Sequence, residues 1–171
     1  MRSLLAAAVG ADHVLAPGSF TDDYDHDEAL GLTPGEPAFV VRPGSTAEVA
    51  AVLQVASERG LPVTARGSGT GLSGAAIPRR GGLVISFERL DRVLEIDSAN
   101  SMAVVQPGVT LAALDAAAAE TGLVYPVYPG EMSASLGGTI ATNAGGMRAV
   151  KYGVTRHHVL GVEAVLASGE V

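Results

Sequence analysis

Residues 38 to 65 carry the pattern that most restricts how this chain can fold. Ala38-Phe39-Val40-Val41-Arg42 is a strand pattern, closed by Pro43, which has no N–H for a sheet ladder. Ser45-Thr46-Ala47-Glu48 is a capping box, in which the serine hydroxyl and the glutamate carboxylate each take a free backbone N–H at a helix start. Val49, Val52, Leu53 and Ala56 follow at helical spacing on one apolar face, and Gly60 suits the left-handed residue that ends a helix. Pro62-Val63-Thr64-Ala65 is a second short strand. Strand, helix and strand in so short a span make a βαβ unit with parallel strands.

The texture changes downstream. Leu83-Val84-Ile85-Ser86, Val93-Leu94-Glu95-Ile96 and Met102-Ala103-Val104-Val105 are short strand patterns, and a mixed or antiparallel sheet is expected from about residue 83. Thr110 caps a second helix carrying Leu111, Leu114 and Ala118 and ending at Gly122. Val159 to Ala167 reads as a last strand. Ser168-Gly169 reads as a turn and Val171 as the first residue of a return strand, so the chain is expected to be part of a longer polypeptide. The expected fold class is α+β, with residues 1–37 as an N-terminal helix and loop and residues 38–171 as the main domain.

Bulk properties narrow the function classes. The chain has 171 residues, and 47% of them are hydrophobic with mean hydropathy +0.31, so it can bury a core and is not disordered by composition. No apolar run reaches the roughly 18 residues of a membrane span. The net charge of −7 argues against nucleic-acid partners and anionic membranes. Without cysteine there is no disulfide, thiolate nucleophile or Cys-ligated metal, and a cytoplasmic location is compatible with that. Met1 to Val9 reads as an amphipathic helix rather than a secretion signal, because Asp12 and His13 follow at once. Asp22-Asp23-Tyr24-Asp25-His26-Asp27 lies in a stretch rich in Pro, Gly and Asp and reads as a solvated surface loop. It lacks EF-hand spacing and the closing Glu.

Arg66-Gly67-Ser68-Gly69-Thr70-Gly71-Leu72-Ser73-Gly74 stands directly behind the second strand. Gly69, Gly71 and Gly74 satisfy the dinucleotide-binding spacing, but that motif must open a helix, and Pro78, Gly81 and Gly82 make one improbable here. No Gly-Lys-Ser/Thr is present for a Walker A loop. Two readings stay open: a flexible turn, or an anion nest of backbone N–H groups with Ser68, Thr70, Ser73 and Arg66 as further donors, sized for a diphosphate. A second constellation runs from Ser133 to Gly146. Gly137-Gly138 permits close backbone approach, and Ser135, Thr139, Thr142 and Asn143 offer donors and acceptors such as flavin and ribose edges need. A small-residue helix packed on a sheet would read the same way.

Val41-Arg42-Pro43-Gly44-Ser45-Thr46, Arg66 to Gly71, Val105-Gln106-Pro107-Gly108-Val109, and Gly137 to Gly146 through Lys151-Tyr152-Gly153 occur in that order. Together they resemble the FAD-binding domain of the FAD-linked oxidases of the p-cresol methylhydroxylase (PCMH) and vanillyl-alcohol oxidase type, nearest the D-lactate dehydrogenase and glycolate oxidase large-subunit branch. The resemblance covers about Phe39 to Val171. It implies a PCMH-type FAD-binding domain of two subdomains, a βαβ unit and a mixed or antiparallel sheet with helices, ending before the substrate cap. FAD is implied in the cleft between the subdomains. Arg66, Gly67, Ser68, Gly69, Thr70, Gly71, Leu72 and Ser73 would wrap its diphosphate. Ser135, Gly138, Ala141, Thr142, Asn143 and Ala144 would line flavin and ribitol, and Val162 would reach the cofactor through its backbone.

The resemblance further implies an oxidoreductase that passes a hydride from a D-2-hydroxy acid such as lactate or glycolate to flavin N5. Catalytic and metal-binding groups are then expected beyond Val171, and none is named here. Thr70 stands where a covalent branch carries a histidine, so non-covalent FAD is expected. Pro126 to Met132 departs from the family's pattern. His157-His158 has no accompanying carboxylate pair and reads as ordinary polar surface. A non-catalytic nucleotide-binding module, or the FAD domain of an aryl-alcohol oxidase or alkyl-glycerone-phosphate synthase, would carry the same motifs. The piece alone is expected to be inactive, to bind FAD weakly or not at all, and to self-associate.

Overall fold

Capping and burial patterns account for the elements of a computed structural model that describes residues 1–171. In chain order these are α1 (Arg2–Val9), β1 (Val14–Leu15), β2 (Phe39–Val41), α2 (Thr46–Glu58), β3 (Val63–Arg66), β4 (Leu83–Ser86), β5 (Val93–Asp97), β6 (Met102–Val105), α3 (Leu111–Ala119), α4 (Leu136–Thr142) and α5 (Ala149–Tyr152). They fall into two compact units, Met1–Arg89 with Glu163–Val171, and Leu90–Val162. None of the helices is long and apolar enough to cross a membrane.

In unit 1, Ser45 Oγ accepts the Glu48 N–H at 3.2 Å. The Glu48 carboxylate reaches one residue further back than a standard capping box and accepts from Gly44 N at 2.7 Å. At the other end Gly60 adopts φ +61°, and the N–H of Leu61 bonds to the Ala56 carbonyl, a Schellman closure. Val52 and Ala56 of α2 pack with Leu5 and Val9 of α1 and with Val14, Val41, Leu83 and Ile85 of the strands.

The sheet order is β1-β2-β4-β3, with β1 antiparallel to β2 and the other pairs parallel. The strands flanking α2 are therefore parallel, as expected, but β4 lies between them. β4 thus joins the parallel strands of a mixed sheet, and the antiparallel pairing of the downstream strands begins with β5 and β6. Every residue of β4 is buried, and a continuous apolar run belongs to a strand covered on both faces of a parallel sheet. Residues 67–82 serve as the long crossover that parallel neighbours require, and no helix forms within them.

In unit 2, β5 and β6 form an antiparallel ribbon with an irregularity between Val93 and Glu95. Asp97 closes the ribbon's turn by accepting from Asn100 N and Nδ2 at 3.0 and 2.7 Å. Thr110 Oγ1 caps α3 by accepting Ala113 N at 3.2 Å. Val109, Leu111, Leu114, Ala134 and Leu136 make the core. The last strand expected at Val159 to Ala167 is absent as a ladder. The Ser-Gly turn is present, with Gly169 at φ +85° and Leu166 N bonded to the Glu170 carbonyl at 2.8 Å, but no neighbouring strand pairs with the residues before it.

Candidate functional site

The glycine-rich crossover begins where β3 ends, at the carboxyl edge of the parallel strands, which is where open α/β sheets place ligands. Between Arg66 and Gly74 two glycines need positive φ, Gly69 at +76° and Gly74 at +77°. None of the backbone N–H groups from Ser68 to Gly74 donates to an acceptor within the protein. The hydroxyls of Ser68, Thr70 and Ser73 also lack internal partners, and Ser68, Leu72 and Ser73 are exposed. The loop's carbonyls are treated differently: Gly71 O accepts from Glu28 N at 2.9 Å and Gly74 O from Ile77 N at 3.2 Å. The loop thus offers a run of unspent donors, suited to a ligand that carries acceptors only. A diphosphate fits that set.

The Asp22 to Asp27 run is solvated only in part: Asp22, Asp23 and His26 are exposed, as expected of a surface loop, while Asp27 turns inward. It packs on the glycine loop. Asp27 is only 5% exposed, and its two carboxylate oxygens face Ala29 N at 3.1 Å and Ala76 N at 3.4 Å. Arg66 is equally committed, with 8% exposure. Its Nη1 donates to the His26 carbonyl at 2.5 Å, and its guanidinium lies 5.9 Å from the centre of the Tyr24 ring. A Cβ on Gly69 would collide with that guanidinium. Burial pulls the Arg66 pKa down, while Asp23, Tyr24, Asp27 and Asp25 oppose the shift. Tyr24 donates to Glu88 Oε2 at 2.7 Å, and burial first, with Glu88 adding to it, pushes its phenol up to about 12. Glu88 also accepts from Ser86 Oγ and Arg42 Nη1, at 3.1 Å each. This layer of side chains was not legible in the sequence.

The second constellation forms α4 and its flanks in unit 2. Leu136 N and Gly137 N bond to the carbonyls of Val109 and Pro107, at 2.8 Å each. A Cβ on Gly137 would meet Pro107 Cβ at 2.8 Å, so glycine is required for that approach. Thr139 Oγ1 is spent on Leu136 O at 2.9 Å and Thr142 Oγ1 on Gly138 O at 3.0 Å. Gly138, Ala141 and Thr142, three and four apart, share an exposed face, while Ser135, Leu136 and Thr139 are buried. Asn143 ends the helix at φ +50°; its Oδ1 accepts Arg156 N at 3.1 Å. Ala144 O accepts from both N and Oγ1 of Thr155, at 3.0 and 2.7 Å. Val162 is 65% exposed, and its backbone groups make no internal bond. The residues from Ser135 to Ala144 thus gather in unit 2, and those from Arg66 to Ser73 in unit 1. A groove of about 240 Å3 in unit 2, lined by Leu111, Asp115, Tyr125, Tyr128 and Arg148 among others, contains none of them.

His157 and His158 lie in a short 3-10 helix, Thr155–His158. His157 Nδ1 accepts Val154 N at 3.2 Å, and His158 Nε2 lies 2.9 Å from the Tyr152 carbonyl. Both side chains serve local polar contacts.

Comparison with known proteins follows the same residues. The family described as "FAD binding domain" matches residues 37–171. An FAD-linked oxidoreductase of Mycobacterium tuberculosis is 58% identical over 171 residues, covering 100% of this chain and 37% of that protein. A D-lactate dehydrogenase of Archaeoglobus fulgidus is 47% identical over 154 residues, covering 88% of this chain and 34% of that protein. The solved structure of 6-hydroxy-D-nicotine oxidase from Arthrobacter nicotinovorans superposes with TM-score 0.81 at 26% identity, covering 91% of this chain and 34% of that one. The chain therefore spans about a third of the length of the relatives it matches.

Proposed function

The chain belongs to the FAD binding domain family, and from that premise we propose that it forms the FAD-holding part of an oxidoreductase acting on a D-2-hydroxy acid. The substrate class draws support from the similarity to a D-lactate dehydrogenase. The cofactor assignment has its own physical support in the unspent N–H groups from Ser68 to Gly74, and that observation carries the reading.

In this proposal Gly67, Ser68, Gly69, Thr70, Gly71, Leu72 and Ser73 take the diphosphate through backbone N–H groups and the three hydroxyls. Ser135, Gly138, Ala141, Thr142, Asn143 and Ala144 line flavin and ribitol, mostly by shape, since Thr142 has already spent its hydroxyl proton. Val162 adds backbone polar groups. Bound FAD supplies the acceptor for the hydride that leaves the hydroxyl-bearing carbon. The chain's own residues bind and orient, and none is assigned a catalytic role. Thr70 has no ring nitrogen with which to bond the flavin, so the cofactor is held non-covalently.

Titration with FAD, ADP and riboflavin tests the cofactor assignment. FAD is expected to bind, ADP to compete with it, riboflavin to bind far more weakly, and acid precipitation to leave the flavin in solution. Equal affinity for riboflavin and FAD would overturn the diphosphate assignment. Anaerobic D-lactate should bleach the flavin of the FAD-loaded protein that contains this chain within its full-length polypeptide, and L-lactate should not. A flavin that stays oxidised with all 2-hydroxy acids would reduce the protein to a nucleotide-binding module.

A further inference from the structure

We infer that Arg66 is a positioning residue: it holds the glycine loop from within, against residues 24–28, and is not a ligand of the diphosphate. The inference rests on the FAD reading above and revises the one charged side chain in it.

Arg66 ends β3 and is the cationic side chain that sequence order would aim at an anion. Its guanidinium is nevertheless held within the protein, through Nη1 alone. It is buried, donates to the His26 carbonyl, lies over the Tyr24 ring and packs against the backbone of Gly69. Tyr24 is in turn fixed by its hydroxyl to Glu88, just past β4. The same short segment bonds to the loop twice more, through Glu28 N to Gly71 O at 2.9 Å and through Asp27 Oδ2 to Ala76 N at 3.4 Å. The loop is therefore tied at its start, middle and end to residues 24–28, and each tie beyond Arg66 consumes a loop carbonyl or the Ala76 N–H. The N–H groups from Ser68 to Gly74 remain unspent. Arg66 sets that division by acting as the body around which Gly69 turns at positive φ. Burial opposes its charge while the nearby Asp23, Asp25 and Asp27 support it, so the cation is kept inside the loop rather than presented to solvent. The diphosphate is then held by peptide dipoles and hydroxyls.

Two variants separate positioning from ligation. Arg66→Met removes the guanidinium. Asp27→Asn touches no ligand in either reading but sets an NH2 group against one of the two N–H donors, Ala29 N or Ala76 N, that the carboxylate accepts from. A direct Arg–phosphate pair would contribute to the salt dependence of binding, which screening by ions reveals. Both variants are expected to weaken FAD binding tenfold or more while the slope of log Kd against log salt stays at the parent value. A shallower slope in Arg66→Met, or parent-like FAD affinity in Asp27→Asn, overturns the inference. Melting of the ligand-free proteins reports folding, and if Arg66→Met does not fold, Asp27→Asn carries the test. Amide NMR of the ligand-free protein gives a second readout. The Gly69 and Gly71 resonances should shift or broaden in both variants while those of α3 stay fixed, and unmoved glycine resonances overturn the inference even if the parent binds no FAD. Failure of the parent to bind FAD would count against the proposed function alone.

Discussion

The two glycine-rich segments are built from similar residues and have disposed of their hydrogen bonds in opposite ways. From Ser68 to Gly74 the backbone donors are unspent and the hydroxyls unpartnered. From Leu136 to Ala144 the hydroxyls of Thr139 and Thr142 close on the helix itself, and the first N–H groups of α4 are taken by Val109 and Pro107. A helix satisfies its own backbone, whereas a loop wound through positive φ at Gly69 and Gly74 does not. Glycine content alone therefore does not mark a polar binding site. One segment is suited to a ligand's charge, the other to its shape.

That contrast can be broken by substitution. Gly69→Ala should have the largest effect. It places a Cβ at φ +76° against a guanidinium pinned by His26, costing about 2 kcal/mol of stability from the backbone alone. FAD affinity should fall with it. Thermal unfolding and FAD titration check both, and parent-like values would mean the loop is free to rewind.

The Tyr24 anchor gives the next effect, through pH. The phenol is raised to about 12 in the folded protein, against about 10 when unfolded. The folded state thus holds the proton more tightly. Its contribution is fully present below pH 10 and is lost as pH rises from 10 to 12. Ultraviolet titration should show Tyr24 ionising well after an ordinary phenol, with Tyr125 also raised by burial, and Tyr24→Phe should remove one late step. A titration in which all four tyrosines ionise near pH 10 would contradict the anchor.

Gly138→Ala should have the smallest effect. Gly138 is exposed on α4, and a Cβ there meets only Ser135 Oγ at 3.1 Å. Improved helix propensity, up to about 1 kcal/mol, offsets the small shift required of Ser135. Stability should stay within about 1 kcal/mol of the parent by denaturant unfolding. A large loss would show that α4 depends on its glycines as the loop does.

The parts of this fold that are readable from sequence are those decided locally. Ser45, Glu48 and Gly60 bound α2, and Thr110 opens α3, because each cap is a contact between near neighbours. The insertion of β4 between β2 and β3 is decided by pairing across the crossover of residues 67–82, which no local pattern records. The layer beneath the glycine loop is hidden for the same reason. Asp27 reads as a solvated acid until Ala76 N, 49 residues away, is brought to it, and Arg66 reads as a free cation until the His26 carbonyl claims it.

Residue-resolved amide hydrogen exchange with and without saturating FAD tests the central claim most directly. Unspent N–H groups exchange fast and slow down when a ligand accepts from them, whereas groups already bonded change little. The account predicts FAD-dependent protection concentrated at Ser68 to Gly74, reproduced by ADP, with Leu136, Gly137 and Thr139 to Ala144 nearly unchanged. FAD binding that leaves Ser68 to Gly74 unprotected would contradict it.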